Sequence, residues 1–176
     1  NAPLEAPANP GLSPNPTKAP WYFAGFQELL LHIHPTFAVF VVPLLVVTVL
    51  FAVPYLRYKE DAAGIWFASH RGRRMAIFSS GISCVITTLS IFLHDWYLGG
   101  DPVASSKYSF VTTGVVPVVA WVAAISGAYL LMRRKFSVSR NEAVQSVFLF
   151  LVVAFIVLTL TGALFRGKNM AFVFLG

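Results

Sequence analysis

The groups able to move protons or bind ligands cluster in three short runs. Glu28, His32 and His34 lie in Gln27-Glu28-Leu29-Leu30-Leu31-His32-Ile33-His34-Pro35, just after Ala19-Pro20-Trp21-Tyr22-Phe23. His94-Asp95-Trp96-Tyr97 is a second group, and His70 lies among Arg71, Arg73 and Arg74. On a helix, Trp21, Gly25, Glu28 and His32 share one face, while Phe26, Leu30 and Ile33 share the other. Glu28 on that face is either a proton acceptor for a bound ligand or a solvated charge on an interfacial helix. His32 and His34 have three readings: lipid-anchoring side chains, proton relays with an ordinary pKa near about 6.5, or haem ligands opposite His94. Against haem, both precede Pro35, point in different directions and lie outside any span. His94-Asp95 is a proton pair or the polar end of a span. His70 suits anionic lipid, and Cys84 suits packing.

The composition says what must position these groups. The chain has 176 residues, 57% hydrophobic and only 11% charged. A soluble domain is about 45–50% apolar with about 25% charged residues. Membrane spans of about 20 apolar residues each account for the excess. The expected fold is an all-α membrane protein. A proline-rich extended arm occupies 1–20, a short interfacial amphipathic helix 21–34, and a membrane domain 35–166. Its four transmembrane helices run over about 36–56, 75–93, 110–132 and 143–165, and a tail covers 167–176. Residues 1–20 carry six prolines, which rules out a helix there. They show neither the basic run nor the apolar run of a signal peptide. The single cysteine forms no disulfide within the chain, and neither a zinc spacing nor a CxxCH haem-attachment motif is present. No metal ligands are expected.

Thirteen basic residues give a net charge of +6. Nine lie in the two connections between spans one and two and between spans three and four, and four lie on the opposite side. That asymmetry argues membrane topology rather than nucleic acid. It places the 94–109 connection and both termini on the outer side.

Two motifs at fixed spacing carry a family resemblance. Pro7-Ala8-Asn9-Pro10 is followed by ten residues and then Trp21-Tyr22-Phe23, with Phe26-Gln27 and Phe51-Ala52-Val53-Pro54-Tyr55 beyond. Over about residues 5–60 the chain resembles the C-terminal part of cytochrome b, the separate subunit IV of cytochrome bf complexes. Later spans match in hydropathy and order.

The resemblance implies a membrane subunit of a quinol-oxidising cytochrome bc-type complex in a bacterial-type energy-transducing membrane. It implies a quinol pocket with Pro20, Trp21, Tyr22 and Phe23 in its wall, beside a Rieske iron–sulfur protein. The b haems are expected on a partner, the haem-binding N-terminal cytochrome b subunit, with none ligated by this chain, and a c-type cytochrome is a further expected partner. In the family motif Pro-Glu-Trp-Tyr, the acid takes the quinol's proton. Here Pro20 stands in that place. Glu28 is the expected replacement, with His32 as the next relay, although a helical rise puts Glu28 about 12 Å along. The alternatives are a haem-binding b-type membrane anchor and a structural subunit with a degenerate pocket.

Overall fold

In the computed structural model, residues 11, 18–55, 66–98, 110–167, 170 and 172 are described. Most of the expected arm, the 99–109 connection and most of the tail lie outside them. The described residues are mostly helical, joined by short turns, with one isolated bridge between Arg166 and Phe172. Helix α1 is Ala24–Leu31. Helix α2, Val42–Ala52, continues a π-helical turn at Phe37–Val41 and ends in a 3-10 turn at Val53–Tyr55. Helix α3 is His70–Leu98. Helix α4, Val116–Phe136, follows a π-helical turn at Val111–Val115. Helix α5, Arg140–Leu160, runs on into a π-helical turn at Thr161–Phe165.

Three of these segments, His70–Trp96, Thr113–Phe136 and Arg140–Phe165, are long and apolar enough to cross a membrane. This is the architecture of a multi-pass membrane protein. The first expected span is represented by the shorter apolar helix Phe37–Ala52. At about 1.5 Å per residue it reaches about 24 Å, less than the hydrocarbon core of about 30 Å.

Helices α3 and α5 run parallel and in register. Ser79 Oγ donates to the Ser146 carbonyl at 2.8 Å, and Ser83 Oγ to the Phe150 carbonyl at 2.6 Å. The buried positions of α3 are Gly72, Met75, Ala76, Ser79, Ser83, Thr87 and Ile91, spaced by three and four. On α5 they are Glu142, Ala143, Ser146, Phe150, Ala154 and Leu158. Small residues let the backbones approach, and hydroxyls satisfy the carbonyls they meet, as membrane helix pairs require.

The N-termini of both helices meet at one end. Ser69 Oγ accepts from Gly72 N at 2.9 Å, and Ser139 Oγ accepts from Glu142 N at 3.3 Å. Glu142 Oε1 in turn accepts from Ser69 N at 2.8 Å, so one buried carboxylate serves two helix N-termini. Gly72 is required here, because a Cβ would run into that carboxylate. Beside it, Met75, Met132 and Ala143 form a small core. Ser137, at φ 48°, closes α4 by donating to the Arg133 carbonyl at 3.0 Å. The three-residue link 137–139 then sends α5 back antiparallel to α4.

At the opposite end α1 crosses α5. Gly25 faces Thr159 and Phe155, and Gly162 faces the backbone of Ala24, where a Cβ would lie 2.7 Å from the carbonyl oxygen. Phe26 stacks edge-on with Phe155 at 5.0 Å. The outward surface is apolar almost everywhere, and α2 has no buried residue along Val42–Ala52. Exposed Trp21, Tyr22 and Trp96 mark one end, and exposed Tyr55 and Trp66 lie towards the other, as aromatic belts do at the two membrane interfaces.

The crossing of α1 over α5 makes a test. Gly25→Val overpacks it and costs about 1–3 kcal/mol. Amide hydrogen exchange across 24–31 is expected to accelerate in that variant. Gly81→Ala, whose Cβ enters open space, is expected to leave exchange there unchanged.

Candidate functional site: a buried charged cluster where three helices meet

Helix α1 is set up by a turn. The Phe23 amide donates to the Pro20 carbonyl at 2.9 Å, and Gln27 Oε1 accepts from Ala19 N at 2.6 Å. The helix ends where His32 N turns back to the Leu29 carbonyl at 3.2 Å, three residues before Pro35. Between these limits Gly25, Glu28 and His32 share a face, as the spacing predicts, but Trp21, expected with them, precedes the helix and is exposed, and Ile33, expected on the opposite face, follows it and is buried. The shared face points into the bundle, while Phe26 and Leu30 point out, with Phe26 51% exposed. The helix is amphipathic inside out, as suits a protein whose surroundings are less polar than its interior. The solvated reading of Glu28 is thereby corrected: the residue is 0% exposed.

What Glu28 meets there comes from the far end of the chain. Arg166, 2% exposed, directs Nη2 at Glu28 Oε1 at 2.6 Å and Nε at both carboxylate oxygens at 3.0 and 3.1 Å. Its Nη2 also lies 2.8 Å from Asp95 Oδ2, a charge contact off the hydrogen-bonding direction. Arg166 Nη1 donates to the Met170 carbonyl at 3.1 Å, and Phe172 lies over the guanidinium at 4.1 Å. Lys18 closes the end of α5 by donating to the Ala163 and Arg166 carbonyls at 2.8 and 2.6 Å.

The imidazoles complete the cluster. His32 Nε2 is 3.1 Å from Glu28 Oε1. The His32 and His94 rings meet edge to face at 4.4 Å, and His94 Nδ1 lies 3.7 Å from Asp95 Oδ1. The two rings are thus in direct contact, and His32 turns its Nε2 to Glu28. His34 sits apart: its ring is against Phe110 at 5.3 Å, its amide donates to the Thr113 carbonyl, and its Nδ1 accepts from Thr36 N.

Burial alone would push the Glu28 carboxyl up. The hydrogen bonds from His32 and Arg166, and their charges, outweigh it and hold the group below the usual carboxylate range. For His32, burial dominates and pushes the imidazole down, against the upward pull of Glu28. So Glu28 is ionised and His32 neutral near pH 7. Two carboxylates, those of Glu28 and Asp95, here share one guanidinium, that of Arg166.

The segment 20–23 has a different character. Trp21 is 74% and Tyr22 66% exposed, their rings edge to face at 5.9 Å, and Phe23 and Pro20 are also exposed. These four residues form an exposed, largely aromatic surface one to two turns before the buried cluster. Arg166 escaped the sequence reading, which counted it only as a topology charge. Its signal was a lone arginine directly after an uncharged span, at the same membrane side as a carboxylate. No family model matches this chain, and no curated protein or solved structure matches it.

Removing one partner of a buried pair leaves an uncompensated charge, at about 3–5 kcal/mol. Arg166→Met is therefore expected to be severely destabilising, and Glu28→Gln with Arg166→Met together markedly less so, in a thermal-unfolding double-mutant cycle. Both pKa shifts work in one direction. Neutral His32 contributes stability that is lost as pH falls through and below about 6.5. Glu28 contributes stability lost at lower pH still, as its depressed pKa is passed. The protection factors of the α1 amides, with the intrinsic pH dependence of exchange divided out, are expected to fall steadily on acidification and to show no such fall on going alkaline.

Proposed function

We propose that this chain is the C-terminal, subunit IV-like part of the cytochrome b of a quinol-oxidising cytochrome bc-type complex. In this reading it has four spans, α2 being the first, with both termini on the outer side. The observation that carries it is a buried cluster of titratable side chains one to two turns from an exposed aromatic segment of family-like spacing, at the same end of the bundle. Quinol oxidation releases two electrons and two protons. The electrons leave through an iron–sulfur protein and the b haems of the haem-binding partner, with a c-type cytochrome beyond. The protons need acceptors within hydrogen-bond reach, directly or through one water.

Pro20, Trp21, Tyr22 and Phe23 supply one wall of the pocket, and the partner subunits supply the rest. The exposed apolar faces of α2 and α4 suit such neighbours and lipid. Neutral His32 takes a proton delivered from the pocket. The Glu28 and Asp95 carboxylates beside it stabilise the resulting imidazolium. Arg166 keeps Glu28 ionised and fixed, so Glu28 acts beside His32 rather than as a free base. The depressed pKa of His32 favours rapid release outward through His94 and Asp95.

The test is quinol-dependent cytochrome reduction by the purified complex across pH. His32→Gln is expected to lower the rate roughly 10²-fold and to remove the acid limb of the pH profile. Trp21→Ala is expected to raise KM for quinol more than it lowers kcat. A His32→Gln complex with the parent rate and profile would leave α1 a structural element with a degenerate pocket.

A further inference from the structure

We propose that His32, His94 and Asp95 form a binding site for a divalent transition-metal cation of the zinc class, fastening α1 to the outer end of α3. One ligand atom from each residue lies within 4.8 Å of the other two. Tetrahedral coordination at about 2.0–2.2 Å places donor atoms about 3.4 Å apart. Small side-chain rotations close that difference without moving either helix.

Two further observations point to a ligand. Nδ1 of His32 and Nδ1 of His94 are both buried with no hydrogen-bond partner. Unsatisfied buried polar atoms are costly, and two on touching rings call for a common partner. His32 is also already arranged as a metal-binding imidazole is. Its Nε2–H donates to Glu28, which leaves a lone pair on Nδ1, and a carboxylate behind the ring fixes its orientation and raises its basicity.

The charge balance permits a cation. Arg166 makes three contacts to Glu28 and one charge contact to Asp95. Asp95 Oδ1 therefore remains available on the His94 side. Two imidazoles and one carboxylate suit zinc, copper, nickel or iron rather than calcium or magnesium. Three protein ligands leave a fourth position for water. No zinc spacing shows in the sequence, because the ligands lie far apart in the chain and meet only where the end of α1 packs against the end of α3. A metal here occupies the lone pairs that the proposed proton route uses, so the site is filled only when that route is blocked; its test is a count of metal and not a rate, so the two readings fail separately.

The experiment uses the chelator-washed, purified complex and Zn2+ alone, followed by equilibrium dialysis and metal analysis. X-ray absorption on the unaltered protein then counts the imidazole ligands. The expected result is one retained zinc per chain, with two imidazole nitrogens and at least one oxygen in its shell. His94→Ala is expected to weaken binding at least about 100-fold, since outer-shell changes alone cost 10–100-fold. His34→Ala is expected to leave binding unchanged. No stoichiometric zinc, a shell lacking two imidazoles, or a zinc that survives His94→Ala would each overturn the proposal. If His94→Ala fails to assemble, the ligand count on the unaltered complex decides.

Discussion

The arrangement at one end of this protein depends on a single buried ion pair, Arg166 with Glu28. A carboxylate 0% exposed and a guanidinium 2% exposed are sustainable only together, because each alone would lose its hydration without replacement. Their fork-like geometry uses both oxygens of Glu28 and two nitrogens of Arg166. The pair joins α1 to the segment after α5, and the remaining contact of Arg166 with Asp95 brings in the end of α3. Phe172 and the Met170 carbonyl close over the guanidinium. Remove the pair and α1 has only its glycine crossing and Phe26 to hold it.

The rest of the bundle obeys the same rule, that polar groups face inward and apolar ones outward. Ser79 and Ser83 tie α3 to α5 through backbone carbonyls. Glu142 collects the N-termini of both helices at the other end. Between these polar ends the exposed surface is valine, leucine and phenylalanine. Parallel helices must bring like ends together, so α3 and α5 have one anion-seeking end, which Glu142 occupies, and one cation-seeking end, where Lys18 caps α5.

Much of this was legible in the sequence, and what was not has a physical reason. Runs without charge located the three long helices to within a few residues, because hydropathy is a local property. Periodicity placed Glu28 with Gly25 and His32 on one face, again a local property. Which way that face points depends on the solvent and on the partner. In water it would point out, and Arg166, at the other end of the chain, makes it point in. The first expected span proved shorter over the residues described, with Pro43 and Pro54 at the two ends of α2. His94 and Asp95 read more readily as the polar end of a span than as a proton pair, and their contact with His32 and Arg166 is a long-range one that no local pattern shows. Pro20 raised the question of a substitute acid. The structure shows Glu28 buried in an ion pair, and the proposed proton route therefore runs through the imidazole beside it.

In the proposed function the cluster around His32 receives protons when quinol is oxidised. The most direct measurement is infrared difference spectroscopy of the complex on quinol oxidation, with histidine isotopically labelled. The account predicts imidazole bands that change protonation during turnover, shift with the label and vanish in His32→Gln. A difference spectrum with no histidine contribution during active turnover, or one unaltered by His32→Gln, would contradict it.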